Sequence, residues 1–308
     1  MKIIIAGGTG FIGQSLARYF LASGNEIIVL GRNIQKIKDI YRNQVVALTW
    51  DRFNQESLSL LHNADLIINL AGTNIGEKRW SKERKQAIIE SRVHTTHTVA
   101  ESCAKLGEQS PPLFNASAVG IYGQHNKVAQ PLTEEAADRF THNTDFLHQV
   151  AQQWEEATLP ASNAGVRVVN MRFSLVLDKK GLLGKLKLPF SLGLGGPIGT
   201  GDQPLAWIEL DDLIAAINFL ITQPTIQGPV NFAAPGCISQ KQFANAFASI
   251  LHRPAILKTP AFLIKTLLGQ MGEELLLNGQ CVDPQVLLSH GFKFTYSDIT
   301  TALRHIYQ

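Results

Sequence analysis

The stretch Lys2-Ile3-Ile4-Ile5-Ala6-Gly7-Gly8-Thr9-Gly10-Phe11-Ile12-Gly13 decides the fold. A nearly continuous β-branched run predicts a strand covered on both faces. Glycines follow at 7, 10 and 13, and then Ile12, Leu16 and Phe20 step by four, the mark of a helix face. In a strand–turn–helix context each glycine has a physical task. One permits the tight turn, one lets backbone approach a pyrophosphate, and one lets the helix pack closely on the sheet. The helix N-terminus adds free N–H groups and a positive dipole. Gly7, Thr9, Gly10, Phe11, Ile12 and Gly13 are therefore candidate dinucleotide-binding residues.

The same alternation continues outward. Apolar runs at 27–30, 45–48, 66–70, 113–116 and 166–171 alternate with helical patterns, such as Ile89, Val93, Thr96, Ala100 and Cys103. The expectation is an α/β fold: a Rossmann-type, doubly wound parallel sheet over residues 1–172. A smaller C-terminal substrate lobe is expected over 173–308, with 211–234 returning to the core. Residues 181–201 hold seven glycines and two prolines, which reads as a structured loop near a site. Helices are expected over 211–223, 239–251, 261–268 and 298–306.

Where an NAD site would place an acid after the second strand, the chain reads Leu30-Gly31-Arg32-Asn33. Arg32 can pair with a 2′-phosphate, so the cofactor expected is NADP(H); the bland reading is a solvated charge. Asp51 reads either as an acceptor for an adenine amino group or as a helix-capping residue. Leu70, Ala71 and Gly72 end the fourth strand with small residues at the carboxyl edge, where such sheets bind ligands.

The 308 residues are 45% hydrophobic and 17% charged, with net charge +3. That excludes disorder as the main state and gives no support to nucleic acid as a partner. The opening apolar run is too short for a signal peptide, and no apolar run is long enough to span a membrane. A cytoplasmic, reducing setting is expected, with a small-molecule partner and a monomer or homodimer. Cys103, Cys237 and Cys281 are far apart and form no CxxC, so neither a zinc or other metal site nor a disulfide framework is expected.

The motifs GGTGFIG at 7–13, NLAG at 69–72 and Ser117-Ala118-Val119-Gly120-Ile121-Tyr122-Gly123 resemble the extended short-chain dehydrogenase/reductases. That family includes sugar-nucleotide epimerases and dehydratases. A closer resemblance covers nearly the whole chain. Lys78-Arg79-Trp80, Glu90-Ser91-Arg92, the stretch 193–199 (GLGGPIG), Gly201-Asp202-Gln203, Trp207-Ile208 and Gly291-Phe292-Lys293-Phe294 are similar to the atypical "epimerase family" branch. Members of that branch have been labelled nucleoside-diphosphate-sugar epimerases and carry their own C-terminal segment. The resemblance implies an NADP-binding fold without fixing a substrate.

The parent family's Tyr-x-x-x-Lys acid/base pair is missing. Four residues beyond Tyr19, Tyr41, Tyr122 and Tyr296 stand Ser23, Val45, Asn126 and Thr300. In the helix where the pair belongs, Phe146 and Val150 replace it, or the register shifts by one. Ser117 and Tyr122 are the candidate catalytic residues, with His148, Glu90 and Arg92 as other proton-handling groups. Tyr122 is equally readable as a packed aromatic. On the substrate side, Trp80, Arg84, Arg92, Arg172 and Trp207 suggest an anionic or sugar-nucleotide substrate; a solvated basic helix face is the alternative. Two functions stay open: an NADP(H)-dependent oxidoreductase or epimerase, and a non-catalytic NADP(H)-binding sensor.

Overall fold

Seven parallel strands form the central sheet of the computed structural model, which describes residues 1–140 and 143–307. In chain order the strands are β1 (Lys2–Ala6), β2 (Glu26–Gly31), β3 (Val46–Thr49), β4 (Leu66–Asn69), β5 (Leu113–Ala118), β6 (Val168–Phe173), β7 (Leu175–Leu177), β8 (Pro204–Leu205), β9 (Trp207–Glu209), β10 (Gly228–Phe232) and β11 (Ile238–Ser239). The sheet order is β10-β6-β5-β4-β1-β2-β3; β7 pairs with β9 and β8 with β11 outside it. The chain reverses direction between β1 and β4, so the carboxyl ends of those strands frame the crevice of a doubly wound sheet.

The helices are α1 (Phe11–Ala22), α2 (Ile34–Tyr41), α3 (Trp50–His62), α4 (Lys82–Ala104), α5 (Phe146–Glu156), α6 (Leu159–Asn163), α7 (Leu182–Ser191), α8 (Leu210–Thr222), α9 (Gln240–Ile250), α10 (Ala261–Leu268), α11 (Gln270–Gly272), α12 (Gln285–Ser289) and α13 (Ile299–Tyr307). Along β1, Ile3 and Ile5 pack into the core beneath α1, α2 and α8, while Ile4 and Ala6 pack into the core beneath α3, α4 and α6. Alternate side chains of a strand point to opposite faces, so a sheet covered twice needs an unbroken apolar run.

A third apolar core joins β7, α7, α9 and α13, with Trp207, Phe243, Phe247 and Leu303 at its centre. Helix α9 starts from a full capping box, in which Ser239 and Gln242 satisfy each other's backbone N–H groups. Among the described residues no helix is long and apolar enough to cross a membrane.

Two expectations are corrected. The glycine-rich stretch 181–201 is not a loop throughout, because ten of its residues form α7, with Pro189 inside the helix. Helix packing against β7 and α9 overrides the local signal there. Cys237 and Cys281, 44 positions apart in the sequence, are joined by a disulfide with Cα atoms 5.3 Å apart. No local spacing announces a pair that the fold brings together. Cys103 is free and buried.

Candidate functional site

The turn after β1 is built as its glycines require. Gly7 has φ +77°, and a Cβ there would lie 2.7 Å from the Leu70 carbonyl carbon. A Cβ on Gly13 would lie 2.6 Å from the Gly7 oxygen, so α1 can sit against the turn only if that residue is glycine. The Tyr41 hydroxyl donates to the Gly8 carbonyl from the far side of the turn.

Opposite the turn, the end of β4 is held by a buried polar cluster. Asn69 Nδ2 donates to Thr96 Oγ1 and to Asn115 Oδ1, each at 2.8 Å, and Trp154 Nε1 donates to Thr96 Oγ1 at 3.0 Å. Asn69 Oδ1 in turn accepts from the Ala71 amide at 3.2 Å. The amide of Thr73 donates to Ser91 Oγ on α4 at 3.0 Å. Satisfied buried networks of this kind hold a backbone path in one place.

Between these two elements runs a groove of about 490 Å³. Gly7, Thr9 and Gly10 form one wall, Leu70, Ala71 and Gly72 the other, and Arg32 and Lys36 stand at one end. A polar face of α4 completes it with Ser91, His94, Thr95 and Thr98. The sequence reading missed Lys36 and this face. Both carried a signal: Lys36 lies in the first turn of the helix that follows Arg32, and the four α4 residues recur at intervals of 3, 1 and 3. Phe11 and Ile12 turn their side chains toward the core rather than the groove. Asp51 is exposed in the first turn of α3 and does not line the groove; its neighbours Trp50 and Asn54 do.

A second cavity, a chamber of about 380 Å³, is lined by Arg92, whose side chain packs against Gly72. Its walls come from the end of β5 and the turn after it (Ala118, Val119, Gly120), from α5 (Leu147, Val150, Trp154), from α7 (Leu182, Leu186) and from the C-terminal segment (Leu275, Leu276). Of the five residues expected on the substrate side, Arg92 alone lines it.

The other candidates are committed elsewhere. Arg172 makes a bidentate ion pair with Glu155 at 2.8 and 2.9 Å, and its Nη1 donates to the Tyr122 hydroxyl and the Glu134 carbonyl at 2.9 Å. Tyr122 is fully buried and donates to Asn231 Oδ1 at 2.6 Å. Ser117 donates to Glu155 Oε1 at 2.6 Å. The expected catalytic pair and Arg172 thus belong to one interior network that ties β5, β6 and β10 to α5. Burial pushes the Tyr122 phenol up to about 12. Burial also opposes the Arg172 charge, but the Glu155 bonds outweigh it and hold the guanidinium protonated. Trp207 is 2% exposed, inside the third core. Trp80 donates to the Ile75 carbonyl at 2.9 Å and packs edge-on against Phe146. Arg84 pairs with Glu77 at 3.2 Å. His148 is buried against the Ile121 carbonyl.

Glu209, Asp211 and His305 place one possible ligand atom each within 4.8 Å of one another. Two of the three are exposed, and Glu209 already caps α8 through the Asp211 and Asp212 amides.

Residues 3–232 match the NAD dependent epimerase/dehydratase family, and residues 259–306 match a domain of unknown function, DUF1731. The chain belongs to the NAD dependent epimerase/dehydratase family. It is 35% identical to the epimerase family protein YfhF of Bacillus subtilis over 306 residues, covering 99% of this chain and 98% of that one. A Mycobacterium leprae epimerase family protein is 33% identical over 305 residues, covering 98% and 94%. Among solved structures, the human epimerase family protein SDR39U1 (isoform 2), with NADPH, superposes with a TM-score of 0.88 at 28% identity, over 100% of this chain and 99% of that one. A nucleoside-diphosphate sugar epimerase from Corynebacterium glutamicum superposes at 0.76 with 31% identity, over 100% of this chain and 58% of the larger protein. The groove lies at the carboxyl ends of β1 and β4, where the strand order of a doubly wound sheet reverses.

Proposed function

We propose that this epimerase-family chain is an NADP(H)-dependent oxidoreductase or epimerase-like enzyme acting on a small molecule in the chamber. The observation that carries the cofactor reading is the pair of cations, Arg32 and Lys36, at one end of the groove. An NAD site needs an acid for the ribose 2′-hydroxyl there, whereas two cations suit a 2′-phosphate. The NADPH in the human relative supports the same choice.

The residues present fit a dinucleotide. The cradle at Gly7 leaves no room for a Cβ, and the first-turn amides of α1, from Phe11, Ile12 and Gly13, are the groups an α-helix leaves open for phosphate. Leu70, Ala71 and Gly72 offer a flat backbone wall. A bound nicotinamide dinucleotide supplies hydride transfer, and the chain's own contribution is to orient the substrate and exclude water.

A second reading, an NADP(H)-binding protein without turnover, is favoured by Leu147 and Val150. These apolar side chains line the chamber on α5, the helix on which the parent family carries its Tyr-Lys pair.

Calorimetric titration with NADPH and NADH tests the cofactor, and loss of absorbance at 340 nm against carbonyl and sugar-nucleotide compounds tests turnover. NADPH binding with substrate-dependent oxidation supports the enzyme. Binding without turnover across the panel favours the second reading, and failure of both dinucleotides to bind removes both.

A further inference from the structure

We propose that the chamber takes an amphipathic carboxylate, a ligand with an apolar body and one anionic head, and that Arg92 receives the head. The proposal takes from the functional reading only that the chamber is the substrate site.

Arg92 is 9% exposed and lines the chamber. A Cβ on Gly72 would lie 3.3 Å from its Cγ and Cζ, so the guanidinium sits against the end of the groove wall. Its Nη1 donates to the carbonyls of Thr73 and Ile88 at 3.0 Å, and its Cζ lies 4.8 Å from the Trp154 ring centroid. Among the described residues the buried Nε–H has no acceptor. Among the described residues no carboxylate pairs with this side chain, unlike Arg172 with Glu155 or Arg84 with Glu77. A buried cation without a counter-ion is strongly unfavourable. With Nη1 occupied, the Nε–Nη2 edge remains. That edge is a two-pronged donor whose geometry matches the two oxygens of a carboxylate.

The rest of the wall selects the body of the ligand. Val119, Leu147, Val150, Leu186 and Phe243 present hydrocarbon. Several of the polar side chains on the wall spend at least one atom each on the protein itself. Gln203 Nε2 donates to the carbonyls of Ile198 and Leu276, and Gln240 Oε1 accepts from the Ile198 amide. Glu274 accepts from the amides of Phe146 and Leu147 and from Gln270. Hydrocarbon dominates the wall, so a sugar ring desolvated here would leave most of its hydroxyls short of partners, which is costly, whereas an alkyl or aryl chain loses nothing. One fork of donors in an apolar chamber therefore reads as the complement of a single carboxylate on a hydrocarbon.

The same fork could face a phosphate of the dinucleotide, since Arg92 touches Gly72, and the experiment separates the two sources. Octanoate and 1-octanol are titrated into the full chain with and without saturating NADPH, and NADPH is titrated alone. Octanoate is expected to bind at least tenfold tighter than octanol. Arg92→Met should bring octanoate to the level of octanol, with octanol affinity within about twofold and NADPH affinity within about threefold of the parent. Arg92→Lys should fall between. Val150→Trp, which fills the chamber and leaves Arg92 in place, should remove octanoate binding and keep NADPH; it serves if Arg92→Met does not fold. Octanoate binding no tighter than octanol in the parent overturns the proposal, as does failure of both to bind. A tenfold loss of NADPH affinity in Arg92→Met with an unchanged octanoate-to-octanol ratio assigns the fork to the cofactor instead. Loss of NADPH binding by the parent would sink the cofactor reading and leave the octanoate comparison intact.

Discussion

Glu274 caps the helix that begins at Phe146. Its two carboxylate oxygens accept from the Phe146 amide at 3.2 Å and the Leu147 amide at 2.9 Å, across 128 residues of sequence. Asp145 stands at the N-cap position but makes no side-chain cap of its own. The C-terminal segment thus supplies the anion that the open end of α5 requires, and α5 carries the chamber wall. Glu274→Ala should cost about 1–2 kcal/mol of stability, the usual worth of a helix cap, read as a lower melting temperature. Because α5 lines the chamber and not the groove, octanoate binding should weaken more than NADPH binding. Equal weakening would show that α5 does not divide the two sites.

Arg32→Ala should weaken NADPH by about tenfold or more and leave NADH nearly unchanged, since a charge-assisted bond to a phosphate is worth roughly 1.5–3 kcal/mol. Lys36→Ala should act in the same direction. Parallel loss of NADPH and NADH in titrations of either variant would remove these cations from the 2′-phosphate role.

Tyr122→Phe is expected to act on stability rather than on chemistry. The hydroxyl joins Asn231 to Arg172 inside the protein, so its removal strands buried polar groups at a cost of about 1–3 kcal/mol. Denaturant melts should show that loss while NADPH affinity stays put. A normal melt with altered cofactor affinity or turnover would return Tyr122 to the site.

Glu209 makes stability depend on pH. Burial, and then the neighbouring Asp211 charge, push its carboxyl up to about 7. Between an ordinary carboxyl value of 4.5 and about 7, the folded protein holds a proton that the unfolded chain has released. Stability from this group is therefore present at the acid side of that window and is lost as pH rises through it. Glu209→Gln should melt progressively higher than the parent as pH goes from 5 to 8. A difference that stays flat over this range would show that Glu209 does not titrate there.

The cysteine pairing is open to direct counting. Alkylation of the denatured chain without reductant should label Cys103 alone, and reductant should expose Cys237 and Cys281 as well. Three labels without reductant would show that the pair is not bonded.

Much of this was legible in the chain because it is local. The strand at 2–6, the turn at 7–13 and the first helix are set by backbone conformation and side-chain period over a dozen residues. The same holds for α10, whose expected and observed bounds coincide. Arg32 could be placed for a similar reason, since it follows directly from the end of β2.

The division of labour among the polar side chains was not local. Ser117, Tyr122, Arg172 and Arg92 looked equally available in the sequence, and three of them are spent on partners 38, 109 and 17 residues away. Whether a charged or hydroxyl side chain is a tool or a strut depends on what the fold sets opposite it, because a buried polar group must find its partner either within the protein or in a ligand. The strands, the turn and the groove they border follow from local sequence. Only the tertiary contacts give Arg172 its Glu155 and α5 its Glu274, and leave Arg92 without a carboxylate among the described residues.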